Sequence, residues 1–310
     1  MEYRNLGRSG LIVSAVGLGC NNFGGRSDEA ATRAAVHRAL DLGITFYDTS
    51  DTYGVEGASE EYVGRALAGR RHEIVLATKF ARPMAVGEGA SRRYIMRAVE
   101  DSLRRLGTDY IDLYQQHIED ARTPIEETLR ALDDLVHQGK IRYIGCSTLL
   151  AWQVVEAQWT SKHLNLASYV CCQERYNLLE RELDAALAPV VAQYGLGLIP
   201  FSPLFNGLLT GKYRRNHPMP AGTRLSTPSR MSERTLTDAN WEKVEALGEF
   251  CERRGCTMLE LAFGWLLARP GVSSVIAGAT SPDQIAANVR AAEFVPSAED
   301  MDEIDRLTAQ

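Results

Sequence analysis

The sequence lacks a metal or disulfide framework. Its six cysteines (Cys20, Cys146, Cys171, Cys172, Cys251 and Cys256) include no Cys-x-x-Cys pair and keep no zinc-like spacing with histidine, so free thiols in a reducing compartment are expected and no metal site. His37, His72, His137, His163 and His217 likewise form no ligand pattern. No apolar run approaches the ~20 residues that cross a bilayer. The opening Met1-Glu2-Tyr3-Arg4-Asn5 has no hydrophobic stretch of the signal-peptide kind. A soluble cytoplasmic protein without a membrane partner is the expectation. Positive charge is also short: 34 Lys and Arg face 40 Asp and Glu, a net charge of −6. Nucleic acid is therefore excluded as the main partner, and any anionic ligand needs basic residues gathered locally. No Pro/Ser-rich linker or break in composition divides the chain, so residues 1–310 read as one domain.

What is present is an ordinary globular composition, 45% hydrophobic and 24% charged, in a chain long enough to bury a large core without staples. The most informative stretch is 44–54, Ile-Thr-Phe-Tyr-Asp-Thr-Ser-Asp-Thr-Tyr-Gly. A short β-rich run ends on a carboxylate, Asp48, and a phenol, Tyr53, follows in a loop punctuated by Gly54. Strand ends that feed polar loops are where α/β enzymes keep their chemistry. Taken alone, the pair is equally a strand-end turn and a packed aromatic.

The rest of the chain keeps a regular rhythm. Segments 3–6 and 11–14 flank Gly7-Arg8-Ser9-Gly10 and predict a hairpin. Strands are expected at 16–18, 44–47, 74–77, 110–115, 141–146, 168–172, 197–200 and 274–277, alternating with helical patterns. Gly17-Leu18-Gly19-Cys20-Asn21-Asn22 lacks the third glycine of a dinucleotide fingerprint and has no helix directly after it, so a Rossmann unit is rejected. A helix is expected from near Ser59, and another from a capping box at Thr123-Pro124-Ile125-Glu126. A loop at about 202–237 carries much of the Gly and Pro of its half. Helices at 238–254 and 257–268, one opened by Ser281 and one by Ser297 complete the chain. Eight strand–helix units in this length give an α/β fold, a (β/α)8 TIM barrel with an N-terminal β-hairpin and additional C-terminal helices. An open doubly wound sheet is the alternative, because periodicity does not show closure.

In a barrel the C-terminal strand ends converge on one mouth. The second strand brings Asp48 and Tyr53, the third ends on Lys79 and the fourth on His117. A lone strand-end lysine is usually a solvated charge, and a lone histidine usually a packed one; meeting at one mouth with a phenol and a carboxylate, they suit proton delivery to an oxygen becoming an alkoxide. The lysine ammonium should lower the phenol's pKa, and Asp48 should keep a partly buried lysine charged. Histidine adds a donor for a carbonyl oxygen.

Five segments carry a resemblance: Tyr3-Arg4-Asn5-Leu6-Gly7; Phe46-Tyr47-Asp48-Thr49 with Tyr53-Gly54; Leu113-Tyr114-Gln115-Gln116-His117; Phe201-Ser202-Pro203-Leu204 with Gly207-Leu208-Leu209-Thr210-Gly211-Lys212-Tyr213; and Gly278-Ala279-Thr280. In this order the chain resembles an aldo-keto reductase over essentially its whole length, most closely the branch that includes potassium-channel β subunits and bacterial oxidoreductases. The resemblance implies reduction of an aldehyde or ketone to an alcohol with hydride from NADP(H), possibly NAD(H). Tyr53 is implied as general acid, Lys79 and Asp48 as its tuners, and His117 as the group that orients the carbonyl. It implies cofactor contacts at Gly19, Cys20, Asn21 and Asp48, and nicotinamide contacts at Ser147, Thr148 and Gln173. Phe201 is the implied stacking aromatic; Ser202, Pro203, Leu204, Asn206 and Gly207 embrace the pyrophosphate. Lys212 and Arg224 supply charge for the diphosphate and 2′-phosphate, and Gly278, Thr280, Gln284 and Asn288 line the adenosine end.

Three positions depart from the pattern. Thr148 stands where many relatives have Asn, Ala287 where this branch often has Glu, and Gln284 where other branches place an arginine for the 2′-phosphate. Gln284 also has a complete structural reading as the fourth residue of a capping box. The competing structural readings are a core position for Phe201 and ordinary loop charges for Lys212 and Arg224. Two rivals stand beside the enzyme: a cofactor-sensing regulatory subunit with slow turnover, and a barrel lyase or isomerase using the same Lys and Tyr. His117 speaks against the first, because the channel-associated relatives carry Asn there; the 201–213 belt speaks against the second.

Overall fold

The computed structural model describes residues 1–309. A hairpin of β1 (Tyr3–Asn5) and β2 (Ile12–Ser14) precedes eight parallel strands: β3 (Val16–Gly19), β4 (Phe46–Asp48), β5 (Val75–Phe80), β6 (Ile111–Gln116), β7 (Ile141–Ser147), β8 (Tyr169–Arg175), β9 (Gly197–Phe201) and β10 (Val275–Gly278). They are hydrogen-bonded in the order β10-β3-β4-β5-β6-β7-β8-β9. The ring is completed where Leu198 N–H donates to Gly271 O (2.8 Å) and Ser273 N–H donates to Leu198 O (2.9 Å). This is a (β/α)8 barrel with the expected hairpin. The helices are α1 (Glu29–Asp41), α2 (Ala58–Ala66), α3 (Arg92–Leu106), α4 (Ile125–His137), α5 (Ala151–Leu164), α6 (Leu183–Tyr194), α7 (Arg230–Thr235), α8 (Asp238–Arg254), α9 (Met258–Ala268), α10 (Pro282–Ala291) and α11 (Ala298–Leu307). None is long and apolar enough to cross a membrane among the described residues.

Side chains two apart on a strand share a face, and this period builds the interior in two layers. Phe46, Ala77, Leu113, Cys171, Ile199 and Ile276 form one buried apolar cluster with Leu6 and Val13 of the hairpin segment. Two residues further along β4, β5, β6 and β8 stand Asp48, Lys79, Gln115 and Gln173, all buried. The barrel thus has a hydrocarbon floor and a polar upper layer. Small residues make room: a Cβ on Gly145 would lie 2.7 Å from Cys171 Sγ. The hairpin presses close beneath. Gly7 has a left-handed φ of +59°, and a Cβ there would lie 2.5 Å from Gly197 N, so only glycine lets the two backbones meet. Ser273 Oγ donates to Asn5 O (3.0 Å), and Arg4 Nη1 donates to Leu267 O (2.9 Å) and Val272 O (3.0 Å).

Local departures from the expected elements have local causes. Helix α4 does not open on a capping box: Thr123 Oγ1 donates to Asp120 Oδ2 (2.9 Å), and Pro124 occupies the cap without a side-chain bond. Helix α2 starts from the left-handed Gly57, because Ser59 Oγ is spent on Cys20 O (2.8 Å). The expected 202–237 loop contains a 3₁₀ segment, Phe205–Thr210, and α7. In α10 the Ser281 hydroxyl accepts from Gln284 N (3.3 Å), while Gln284 Oε1 accepts from Thr280 N (2.9 Å) rather than from the cap residue.

Candidate active site

The polar upper layer is one connected network. Asp48 ends β4, and its Oδ2 accepts from Lys79 Nζ at 2.5 Å. The same ammonium donates to Thr49 O (2.9 Å) and to Tyr53 OH (3.3 Å), so all three of its protons have partners. Asp48 Oδ1 accepts from Gln173 Nε2 (2.8 Å) and Gln115 Nε2 (3.1 Å). Because a carboxylate only accepts, it fixes which way both amides point. Tyr53 and His117 meet edge to face, ring centroids 5.8 Å apart. Asp48, Tyr53, Lys79 and His117 are therefore brought together, as their strand positions predict.

The electrostatics follow from burial. Lys79 is fully enclosed. Desolvation opposes its charge, but the Asp48 carboxylate and the Tyr53 hydroxyl outweigh that and hold its pKa above the ordinary value. Tyr53 differs from expectation. The Lys79 charge does favour the phenolate, but burial is the larger effect and Asp48 adds to it, so the phenol's pKa is raised. Burial thus favours the neutral phenol of Tyr53. His117 is pushed down to about 2, first by burial and then by the charges of Lys79 and Arg82, so its imidazole is neutral at physiological pH.

His117 is held from several sides. Its backbone N–H donates to Phe80 O (2.9 Å), and its backbone carbonyl accepts from Thr148 Oγ1 (2.9 Å). Ser50 Oγ lies 3.1 Å from its Nδ1. Sequence reasoning missed Ser50 and Gln115. The second had a signal: in β6, as in β5 and β8, an apolar inward residue is followed two positions later by a polar one. Ser50 had none, because its direction is set by the turn after β4 rather than by a strand period.

The implied cofactor residues lie along the strand ends and the loops beyond them. Ser147 and Gln173 are buried at the ends of β7 and β8. Thr148 takes a left-handed φ of +53° with its hydroxyl committed to His117. Gly19 and Cys20 are buried at the end of β3, and the Cys20 thiol faces Leu18 O in the cluster between barrel and helices. Half-buried Phe201 lies under the Arg175 guanidinium, 5.5 Å from its ring centroid. Beyond it Ser202, Phe205, Asn206 and Gly207 all have positive φ. Pro203 is buried there and Leu204 half-buried. The Asn206 amide donates to Thr235 Oγ1 (2.9 Å), and the Lys212 ammonium packs over Gly207, 3.4 Å from where a Cβ would stand. Arg224 Nη2 donates to Asn22 Oδ1 (3.4 Å), and its pKa is lowered by burial and then by Arg26. Gly278 adjoins Asn21, whose Oδ1 a Cβ would meet at 2.7 Å. Gln284 is exposed and bonded to Thr280, while Asn288 is buried.

Two surface hollows lie away from this network. One of about 860 Å3 is lined by Arg71, Tyr110 and Lys140, and one of about 520 Å3 by Gly7, Gly195 and Ser273. Both border strand starts, the end of a barrel that serves stability.

Residues 15–309 match the pattern of the aldo/keto reductase family. The chain is 36% identical over 305 residues to a probable voltage-gated potassium channel subunit beta of Oryza sativa subsp. japonica, covering 96% of this chain and 92% of the relative. It is 35% identical over 329 residues to an L-glyceraldehyde 3-phosphate reductase of Escherichia coli O157:H7, covering 100% and 93%. It is 36% identical over 307 residues to an uncharacterized oxidoreductase of Bacillus subtilis (strain 168), covering 95% and 92%. With a barrel whose strand ends join a phenol, an ammonium, a carboxylate and an imidazole, the chain belongs to the aldo/keto reductase family and is an oxidoreductase.

Proposed function

We propose that this protein reduces an aldehyde or ketone to an alcohol with NADP(H), and that Tyr53 delivers the proton. The observation that carries the reading is Lys79 Nζ, anchored by Asp48 and Thr49 O and 3.3 Å from the Tyr53 hydroxyl. A neutral phenol beside a permanent ammonium gives up its proton only when an alkoxide, a far stronger base, forms next to it; the ammonium then stabilises the phenolate. His117, uncharged, orients the carbonyl oxygen by hydrogen bonding. The floor beneath Lys79 is hydrocarbon, so the proton moves only on the mouth side.

The residues beyond the strand ends suit a dinucleotide. Arg224 and Arg26 repel one another, and neither has a carboxylate partner among the described residues; an anion between them relieves both. The positive φ of Ser202, and then of Phe205, Asn206 and Gly207, turns this loop's backbone in the manner that suits phosphate oxygens. Ser147, Gln173 and Phe201 would hold the nicotinamide, which when bound supplies the hydride. The Arg224–Arg26 pair favours NADP(H). Gln284 and Ala287 in place of charged partners leave NAD(H) usable. The proposed partner is a small carbonyl or alcohol compound, and the proposed compartment is the cytoplasm.

The test is NADPH and NADH oxidation against aldehydes, sugars and diketones, beside Tyr53→Phe. Loss of roughly 10²–10⁴-fold in kcat with cofactor binding intact is expected; full activity in Tyr53→Phe would remove the proposed acid. A second reading, a cofactor-sensing subunit, draws on the names of the plant relatives. It requires tight nucleotide binding with turnover slow on every substrate.

A further inference from the structure

The turn after β4 gathers more polar groups than Tyr53. Ser50 Oγ stands 3.1 Å from His117 Nδ1, 3.1 Å from Asp51 Oδ1 and 3.1 Å from Thr52 Oγ1, and it accepts the Thr52 N–H at 3.3 Å. One hydroxyl has one proton. While Asp51 is a carboxylate it can only accept, and its charge draws the Ser50 proton toward it. The contact with His117 is then a hydrogen bond only if Nδ1 carries the imidazole proton, which leaves Nε2 a bare lone pair. Once Asp51 is a carboxylic acid, Ser50 is released to donate to Nδ1, and the imidazole proton stands on Nε2.

We infer that Ser50 and Asp51 are positioning residues that set which ring nitrogen of His117 bears the proton. The inference rests on the reading that His117 meets the substrate oxygen. An Nε2–H donates to a carbonyl oxygen, whereas a bare Nε2 accepts from an alcohol hydroxyl. Protonated Asp51 therefore suits reduction, and ionised Asp51 suits binding of the alcohol.

The surroundings make Asp51 able to take either form near neutrality. It is buried, and its Oδ2 has no hydrogen-bond partner. Burial, and next the Glu60 carboxylate of α2, push its pKa up to about 7, against the Ser50 hydroxyl and the Arg105 charge of α3. Arg105 does not neutralise it, because its Nε is bonded to Glu60 Oε2 at 2.6 Å. Tyr94 of α3 and Tyr114 of β6 both feel the Asp51 charge, and neither hydroxyl has a partner. From β5 comes a backbone group, Lys79 O, which accepts the Asp51 N–H (3.3 Å). On the imidazole side, Tyr53, Lys79 and Arg82 face the ring. Two of these are cations that forbid a second proton, so only the position of the single proton is free to change.

The experiment is a long-range 1H–15N spectrum of the histidine side chains in the full-length protein, with His117 assigned by His117→Gln. The expected result is the Nε2–H tautomer at about pH 6 and the Nδ1–H tautomer at about pH 8. Ser50→Ala should abolish the switch, and Asp51→Asn should remove its pH dependence. One tautomer across that range, or an unchanged switch in Ser50→Ala, would overturn the inference. In the kinetic arm, kcat/KM for carbonyl reduction should fall about tenfold per pH unit above neutrality in the native protein. It should stay flat in Ser50→Ala. Absence of any reductase activity would refute the proposed function while leaving the spectra to decide this question.

Discussion

Gln173 Nε2 donates to Asp48 Oδ1 across 2.8 Å, joining β8 to β4 on opposite sides of the barrel. The Asp48 charge is thus shared between an ammonium on one oxygen and two amides on the other. Gln173→Met removes one of those donors from a buried carboxylate. Stability should fall by about 1–3 kcal/mol, read as a lower urea midpoint at constant slope. An unchanged midpoint would show that the bond across the barrel contributes nothing.

Lys79 and Asp48 form an ion pair with both side chains buried. Lys79→Met strands the carboxylate and should cost about 3–5 kcal/mol. Adding Asp48→Asn removes the stranded charge, so the double variant should be more stable than Lys79→Met alone. Additive losses in a double-mutant cycle would show that the two charges do not depend on one another.

Arg224 is the guanidinium proposed for the 2′-phosphate; burial and the Arg26 charge lower its pKa. Arg224→Ala should weaken NADPH roughly tenfold to a hundredfold, the worth of a charge-assisted bond, and NADH much less. Fluorescence titration at two salt concentrations measures both. Equal losses would reject the assignment.

Glu174 follows Gln173 on β8; the backbone amides of Thr148 and Leu149 favour its charge, while its Oε1 has no partner. Burial raises its pKa from 4.5 to about 8. Between those values the unfolded chain releases a proton that the folded chain keeps, so stability falls as pH rises through the window and the full penalty is present above pH 8. Each tenfold difference in proton affinity between the folded and unfolded chain is worth about 1.4 kcal/mol. Glu174→Gln should therefore be more stable than the native protein by about 2–4 kcal/mol at the alkaline end. The two should converge toward the acid end. Parallel melting curves across pH would contradict this.

The barrel is readable from the sequence because it rests on repetition. Eight apolar runs alternate with helical patterns, and the polar residues that close β4, β5 and β6 stand where strand ends must converge. What escapes such a reading depends on single turns. Thr123 has the spelling of a cap, yet Asp120 takes its hydroxyl. Ser59 looks like a helix start, yet it is turned toward Cys20 O. The raised pKa of Tyr53 runs against the sequence expectation for a related reason: charge next to a phenol can be read from residue types, whereas depth of burial is a property of the assembled fold. Ser50 and Asp51 lie in plain view inside the most informative stretch, but only the closed turn shows that one hydroxyl serves both the carboxyl and the imidazole.

The joint between β9 and residues 271–273 is closed by few backbone bonds, and the N-terminal segment grips both of its sides: Arg8 N–H reaches Gly195 O at 2.9 Å, and Ser273 ties back to Asn5. The first fourteen residues act as a clasp on the ring. Removing them would leave the outer walls intact but let the cylinder unzip at this one place, with the amides of Leu198 and Ser273 the earliest to exchange with deuterium.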